Sequence, residues 1–211
     1  MCLVRKFKKE KTMLKKMIIA GRFSVLFLML FANGCILQTA GGAQPFFREN
    51  VDFGFIKKIA VLPFSNNSKD QYVSEMVRDI TITQMLSSRV FDVADKGVVD
   101  SILREENVQP GEPLDPQALR RLGQRLSVQA IFLGVVDQVG ESGKGSSGAS
   151  EMTLTLRLLD TQSGLVVWQA TGNGSGDSLG RRLFGVGAKG TFEVILDLVD
   201  DLLDTIPRGG A

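Results

Sequence analysis

The sequence predicts a single α/β (α+β) domain in which helices cover a mixed β-sheet. Three observations carry this. Short, nearly continuous apolar runs such as "IAVLPF" and "AIFLGVV" recur between segments with helical spacing, as buried strands between helices do. The segment "EMTLTLRLLD" alternates cleanly and is joined by "TQSG" to "LVVWQATG", which is the pattern of a hairpin with one wetter face. The chain closes on "TFEVILDLVDDLLDTI", whose apolar positions recur at helical spacing.

Taken in order, "IKKIAVLPF" is a buried strand stopped by Pro63 and the turn "SNNSKD". Ser68 and Gln71 have capping-box spacing and predict a helix from there to about Ser88, with Val73, Met76, Val77 and Ile80 on one face. "RVFDVAD" reads as a second strand, and Val98, Val99, Ile102 and Leu103 mark a short helix ending before "NVQPGEP". Asp115 as N-cap with Pro116 at the first helical position opens a third helix carrying Leu119, Leu122 and Leu126. "VQAIFLGVVD" and the hairpin supply three more strands. In the last helix Phe192, Ile195, Val199, Leu202 and Ile206 form the expected core stripe. Strand, helix, strand, two helices, three strands and a helix is the resulting order, which implies a mixed sheet with helical cover.

The domain occupies residues 55–207, and what precedes it is of another kind. The apolar run Phe23 to Ala32 is half the length of a membrane-spanning helix, with Lys15, Lys16 and Arg22 before it and Asn33 and Gly34 after it. Basic, apolar and small residues in that order predict a secretory signal over residues 1–34, with translation starting at Met1, Met13 or Met17. Cys2 and Cys35 are the only cysteines, so removal of the leader leaves Cys35 without an intramolecular disulfide partner. "FANGC" resembles a bacterial lipobox, which implies cleavage between Gly34 and Cys35 and diacylation of Cys35 by palmitate-like chains. The alternative is a stray cysteine after a conventional signal. Two acyl chains suffice for stable anchoring where one does not. Residues 35–54, with Gly41, Gly42 and Pro45, read as an acylated N-terminus and tether. Ile36 stands where enterobacterial inner-membrane lipoproteins typically have Asp, a likeness that points to the outer membrane and the periplasm.

Charge and composition exclude several functions. Residues 1–34 carry eight Lys or Arg and one acid, leaving 17 basic and 22 acidic residues in the 177 from Cys35 onward. The basic precursor therefore becomes a mildly acidic domain with no electrostatic footprint for nucleic acid. The chain has no histidine, which excludes Ser-His-Asp and Cys-His catalysis and His-based metal sites in their usual forms. The acids Glu105, Glu106, Asp200 and Asp201 lie opposite apolar stripes, as solvated helix faces require. Around Lys144 the glycines lack the P-loop spacing, and "GNGSGD" is not G-x-G-x-x-G. No catalytic residue, metal or cofactor is expected, and the protein is expected not to be an enzyme.

"IKKIAVLPFSNNS", "QAIFLGVVD" and above all "LRLLDTQSGLVVWQATGNGSG" resemble the CsgG-like superfamily of exported bacterial lipoproteins, over roughly Ile56 to Ile206. This group is related in fold to the penicillin-binding-protein activator LpoB and to the N-terminal domain of TolB. The resemblance implies an outer-membrane lipoprotein that works as a non-catalytic accessory or assembly factor by binding another envelope protein. The alternative it implies is a subunit of an oligomeric secretion channel. The family's channel inserts two hairpins per subunit, whose places here are Asp137 to Ser150 and Gly172 to Gly190, without the alternating apolar residues of membrane strands. Candidate partner contacts are Phe46 and Phe47 in the tether, Lys144 in the first glycine-rich loop, and Arg181, Arg182 and Phe184 in the second.

Overall fold

The computed structural model describes residues 43–141, 150–177 and 187–207. Its strands are β1 (Gln44–Phe47), β2 (Lys58–Val61), β3 (Ser65–Asn66), β4 (Asp92–Val93), β5 (Ala130–Glu141), β6 (Ser150–Asp160) and β7 (Val166–Ser175), and its helices are α1 (Val73–Ser88), α2 (Lys96–Glu105), α3 (Pro116–Leu126) and α4 (Thr191–Leu203). The strands form one sheet in the order β1-β7-β6-β5-β2-β4, with β3 beside β5. β2 runs parallel to β4 and β5, whereas β5, β6, β7 and β1 are mutually antiparallel neighbours. The sheet is mixed and covered by helices, as the alternation of element types requires.

Each face of the sheet has its own core. On one face α1 and α4 bury Ile59, Val61 and Phe132 together with Leu154, Leu156 and Leu158 of β6. Trp168 of β7 is fully enclosed there, its ring 5.8 Å from that of Phe132 and its Nε1 donating to Thr205 Oγ1 at 3.2 Å, so the indole's one polar atom is satisfied. On the other face α2 and α3 bury Ala60, Leu62, Leu103, Leu119, Leu122 and Ile131, above β2 and the start of β5. Asp115 accepts from the Gln117 and Ala118 amides at 2.7 Å and caps α3, with Pro116 behind it.

Several expectations change. Ser68 does not cap α1: its Oγ bonds Asn66 Oδ1 and the Asp70 carbonyl, which ties the turn together, and the helix begins at Val73 with Tyr72 as a cap that offers no side-chain bond. Turn-forming side chains outcompeted the capping box. The strand in "RVFDVAD" shrinks to Asp92–Val93. Met76 and Phe192, assigned to core stripes, are 41% and 57% exposed, because the buried faces are carried instead by Val73, Val77, Ile80 and Met85 of α1 and by Val194, Ile195, Leu198 and Val199 of α4. "GNGSGD" is no loop to begin with, since β7 continues through Ser175. Gly172 and Gly174 are there because α4 crosses them: a Cβ on Gly172 would lie 3.0 Å from Leu198 Cδ1, and one on Gly174 would lie 2.8 Å from Val194 Cγ1.

Two close fits hold the sheet to its cover. Gly134 lies under the ring of buried Phe64, where an added Cβ would come within 2.5 Å of Cδ2. Arg78, 1% exposed, donates to the Val61 carbonyl at the end of β2 and pairs through both amino groups with Asp100 of α2, at 2.7 and 3.2 Å. It therefore fastens α1 to β2 and α2 at once.

Arg78→Leu is expected to lower stability in urea by about 1–3 kcal/mol, since it removes the buried guanidinium's bonds to the Val61 carbonyl and leaves the partly exposed Asp100 without its partner. Gly134→Ala is expected to cost about 1–3 kcal/mol by overpacking against Phe64. Losses under about 0.5 kcal/mol in either variant would contradict these assignments.

Candidate partner-binding face

The two cores are of unequal reach, and the difference exposes half of one sheet face. Register places Met152, Leu154, Leu156 and Leu158 of β6 opposite Gly174, Gly172, Ala170 and Trp168 of β7, all beneath α4. The alternate residues point the other way, where α2 and α3 stop at Ile131 and Leu159. What remains open is a polar strip. Across it Leu133 of β5, Arg157 of β6, Gln169 of β7 and Phe46 of β1 stand in one cross-strand row, followed by Val135, Thr155, Thr171 and Gln44 in the next. Thr155 shares a hydrogen bond with Thr171 at 3.1 Å and donates to Asp137 Oδ2, and Asn67 donates to Asp137 Oδ1. These bonds fix the hydroxyls and Asp137 in place. Among the described residues the side chains of Arg157 and Gln169 make no hydrogen bond or ion pair.

β1 borders this strip and corrects the sequence reading of a tether reaching residue 54. Its four residues are exposed yet pair along β7, and Arg48 continues the contact by donating to the Val166 and Val167 carbonyls. Only four residues long and carrying a proline, β1 gave no periodicity to read. Pro45 is the edge device: without an N–H it weakens the outer rim as a template for another strand. The two phenylalanines point to opposite faces. Phe46, 49% exposed, lies on the open strip. Phe47, 53% exposed, lines a shallow groove of about 760 Å³ with Val51, Phe53, Asp204 and Ile206. Exposed aromatic side chains on a sheet edge are suited to contact with another protein.

Of the other candidate contacts, Lys144, Arg181, Arg182 and Phe184 lie outside the described residues, as do Gly34 and Cys35. Sequence reasoning missed Arg157 and Gln169. The alternation of β6 put Arg157 on the wetter face, but nothing local said that α3 would stop short of it.

The acids behave as solvated faces. Glu106 accepts from Arg125 and Arg121, which hold its carboxyl below the usual carboxylate range, and Glu105 also pairs with Arg125, so these acids join α2 to α3. On α4 partial burial and the neighbouring Asp197, Asp200 and Asp204 push the Asp201 carboxyl up. No group of three or more acids or cysteines among the described residues is arranged to hold a metal ion.

A family model described as curli production assembly/transport component CsgG matches residues 57–197. Among solved structures the chain is similar to the PelC dodecamer from Paraburkholderia phytofirmans, at 18% identity and a TM-score of 0.51, covering 77% of this chain and 94% of that one. It is also similar to lipoprotein GNA1162 from Neisseria meningitidis, at 16% identity and a TM-score of 0.53, covering 71% and 97% respectively. At such identities the likeness is one of fold. No curated protein matches by sequence.

Because the folded state raises the Asp201 pKa, the protonated carboxyl stabilises the fold below its unfolded pKa, near 4, and this is lost as pH rises through the folded value. Asp201→Asn is therefore expected to raise the melting temperature at pH 7, by a margin that shrinks toward zero at pH 3. A margin that grows on acidification would contradict the sign.

Proposed function

The chain belongs to the family of the curli production assembly/transport component CsgG, and from that premise we propose that it is a non-catalytic accessory protein of a bacterial envelope complex. Its diacylated Cys35 anchors it to the outer membrane facing the periplasm, and it acts by docking another envelope protein. The observation that carries this reading is the open strip of sheet bordered by β1, with Phe46 on the strip and Phe47 exposed on the other face of the same edge. β1 begins at Gln44, nine residues after Cys35, so a lipid there keeps this edge near the membrane. Residues 36–43 extend at most about 3.3–3.6 Å each, which bounds that distance at roughly 30 Å.

A second reading is a subunit of an oligomeric channel, prompted by the dodecameric state of the similar PelC. Membrane-spanning strands take about 9–11 residues each. The sequence from Asp137 to Ser150 is shorter than two such strands, and that from Gly172 to Gly190 lacks their alternating apolar residues. The accessory reading is therefore preferred.

Intact mass of the membrane-extracted protein is expected to begin at Cys35 with added acyl chains, and Cys35→Ala is expected to lose them. A photo-crosslinking residue at Phe46 or Phe47 is expected to capture one defined envelope protein in living cells, while Phe46→Ser keeps the melting temperature. An unacylated mature chain, or capture of none but its own copies in a ring, would overturn the proposal.

A further inference from the structure

Beside the open strip the connection between α2 and α3 arches over β5 and β6 and encloses a groove of about 330 Å³. Leu62, Leu133 and Leu159 form its floor, and Leu103, Val108 and Leu114 form its wall. The arch is built rather than loose. The Gln109 amide donates to Glu112 Oε2 at 3.1 Å, and the Glu112 amide donates back to the Gln109 carbonyl at 3.2 Å. Between them Gly111 takes a φ of +81°, and a Cβ there would meet Ser65 Oγ at 2.9 Å, so the turn is seated on β3. Such a rim needs no ordering when something enters, which lowers the entropic cost of binding.

Arg157 also lines this groove, exposed and with no partner among the described residues, although Glu112 stands on the same rim with its carboxylate already engaged by Gln109. Its neighbours in the row are Leu133, in the groove, and Gln169, also without a partner among the described residues, with Phe46 beyond. Leu156 and Leu158 on either side of it face the opposite core, so Arg157 takes no part in that packing. Strands lie about 4.8 Å apart, so the row from Leu133 to Phe46 is about 14 Å long, and an extended peptide at about 3.3 Å per residue covers it in roughly four steps.

From this the geometry points to a peptide-binding site. The groove takes an apolar side chain of an extended segment, Arg157 pairs with a carboxylate one or two residues further on, Gln169 meets the peptide backbone, and Phe46 packs on a second apolar side chain about four residues from the first. Charge complementarity selects the occupant, since an unpaired guanidinium forms a two-pronged bond with a carboxylate. The polar row leading away from the groove suits a peptide, with hydrogen-bonding groups along its length, better than a single acyl chain. This inference rests on the docking role proposed above and names the chemistry of the segment that docks.

The test is selection of a phage-displayed random nonapeptide library on the purified full-length chain in detergent, followed by fluorescence anisotropy with a synthetic copy of the enriched peptide. Enrichment of an apolar residue, an acid one or two positions later and a second apolar residue about four positions on is the expected result. Arg157→Gln should weaken binding at least tenfold without moving the melting temperature. Replacing the peptide's acid by its amide should weaken binding equally, and the two changes together should cost no more than either alone, because they delete one interaction. Lack of enrichment, or binding that Arg157→Gln leaves intact, overturns the site. Dodecanoate that binds through Arg157 where no peptide does overturns it in favour of a lipid. If peptides fail to enrich while crosslinks at Phe46 persist in cells, only this site falls. If peptides bind as expected but crosslinks are absent, the site stands and the docking role falls.

Discussion

The C-terminal helix rests directly on the backbone of β7, over Gly172 and Gly174, and the arrangement of the domain depends on that contact. Glycine at both positions lets Val194, Leu198 and Leu202 approach the strand as closely as 3 Å from where a side chain would begin. With α4 that close, Ile195, Val199 and Leu202 seal one face of β6 and β7, and Trp168 fits beneath with its indole N–H taken up by Thr205 just past the helix. Dense packing of this kind concentrates the stabilising burial on one side of the hairpin. The outer strands then have enough support from that side alone.

The second face follows from the first. α2 and α3 are tied to one another by Arg125 and Arg121 to Glu105 and Glu106, and they cover only β2 and the near end of β5. Their connection arches over the groove, but among the described residues no helix reaches β6 and β7 from this side. An antiparallel sheet tolerates one wetter face when the residues on it are polar: Arg157 is exposed, Thr153, Gln169 and Thr171 are half-buried, and the buried Thr155 is satisfied by Asp137 and Thr171. The docking role proposed for the chain draws on surface, and the open strip with its aromatic border is the surface that the described elements leave available.

Much of this was legible in the sequence where local rules act alone. Asp115 and Pro116 fixed the start of α3 because a capping carboxylate and a preset φ need no tertiary help. The alternation of β6 announced a sealed face and a wet one. Ser68 misled because its hydroxyl had a better offer within its own turn. Gly172 and Gly174 looked like loop residues because the reason for them is a helix twenty residues away in sequence. β1 was invisible for a related cause: four exposed residues with a proline carry no periodicity, and their strand character comes entirely from the partner β7. Arg157 was assigned to the right face, yet its lack of a partner depends on where α3 ends, which no local pattern encodes.

The central claim is that β7 separates a sealed face from a free one, and adjacent residues test it most directly. Ala170 is fully buried under α4, whereas Gln169 stands on the open strip beside Arg157. The same change, to Glu, should be made at each and the thermal midpoints compared. Gln169→Glu is expected to leave the midpoint within about 3 °C of the parent, and Ala170→Glu to lower it by ten degrees or more, since an unpaired buried charge costs several kcal/mol and each kcal/mol shifts a domain of this size by about 2–4 °C. Equal losses at both positions would mean that the strip is covered, and would contradict the account of where this protein binds.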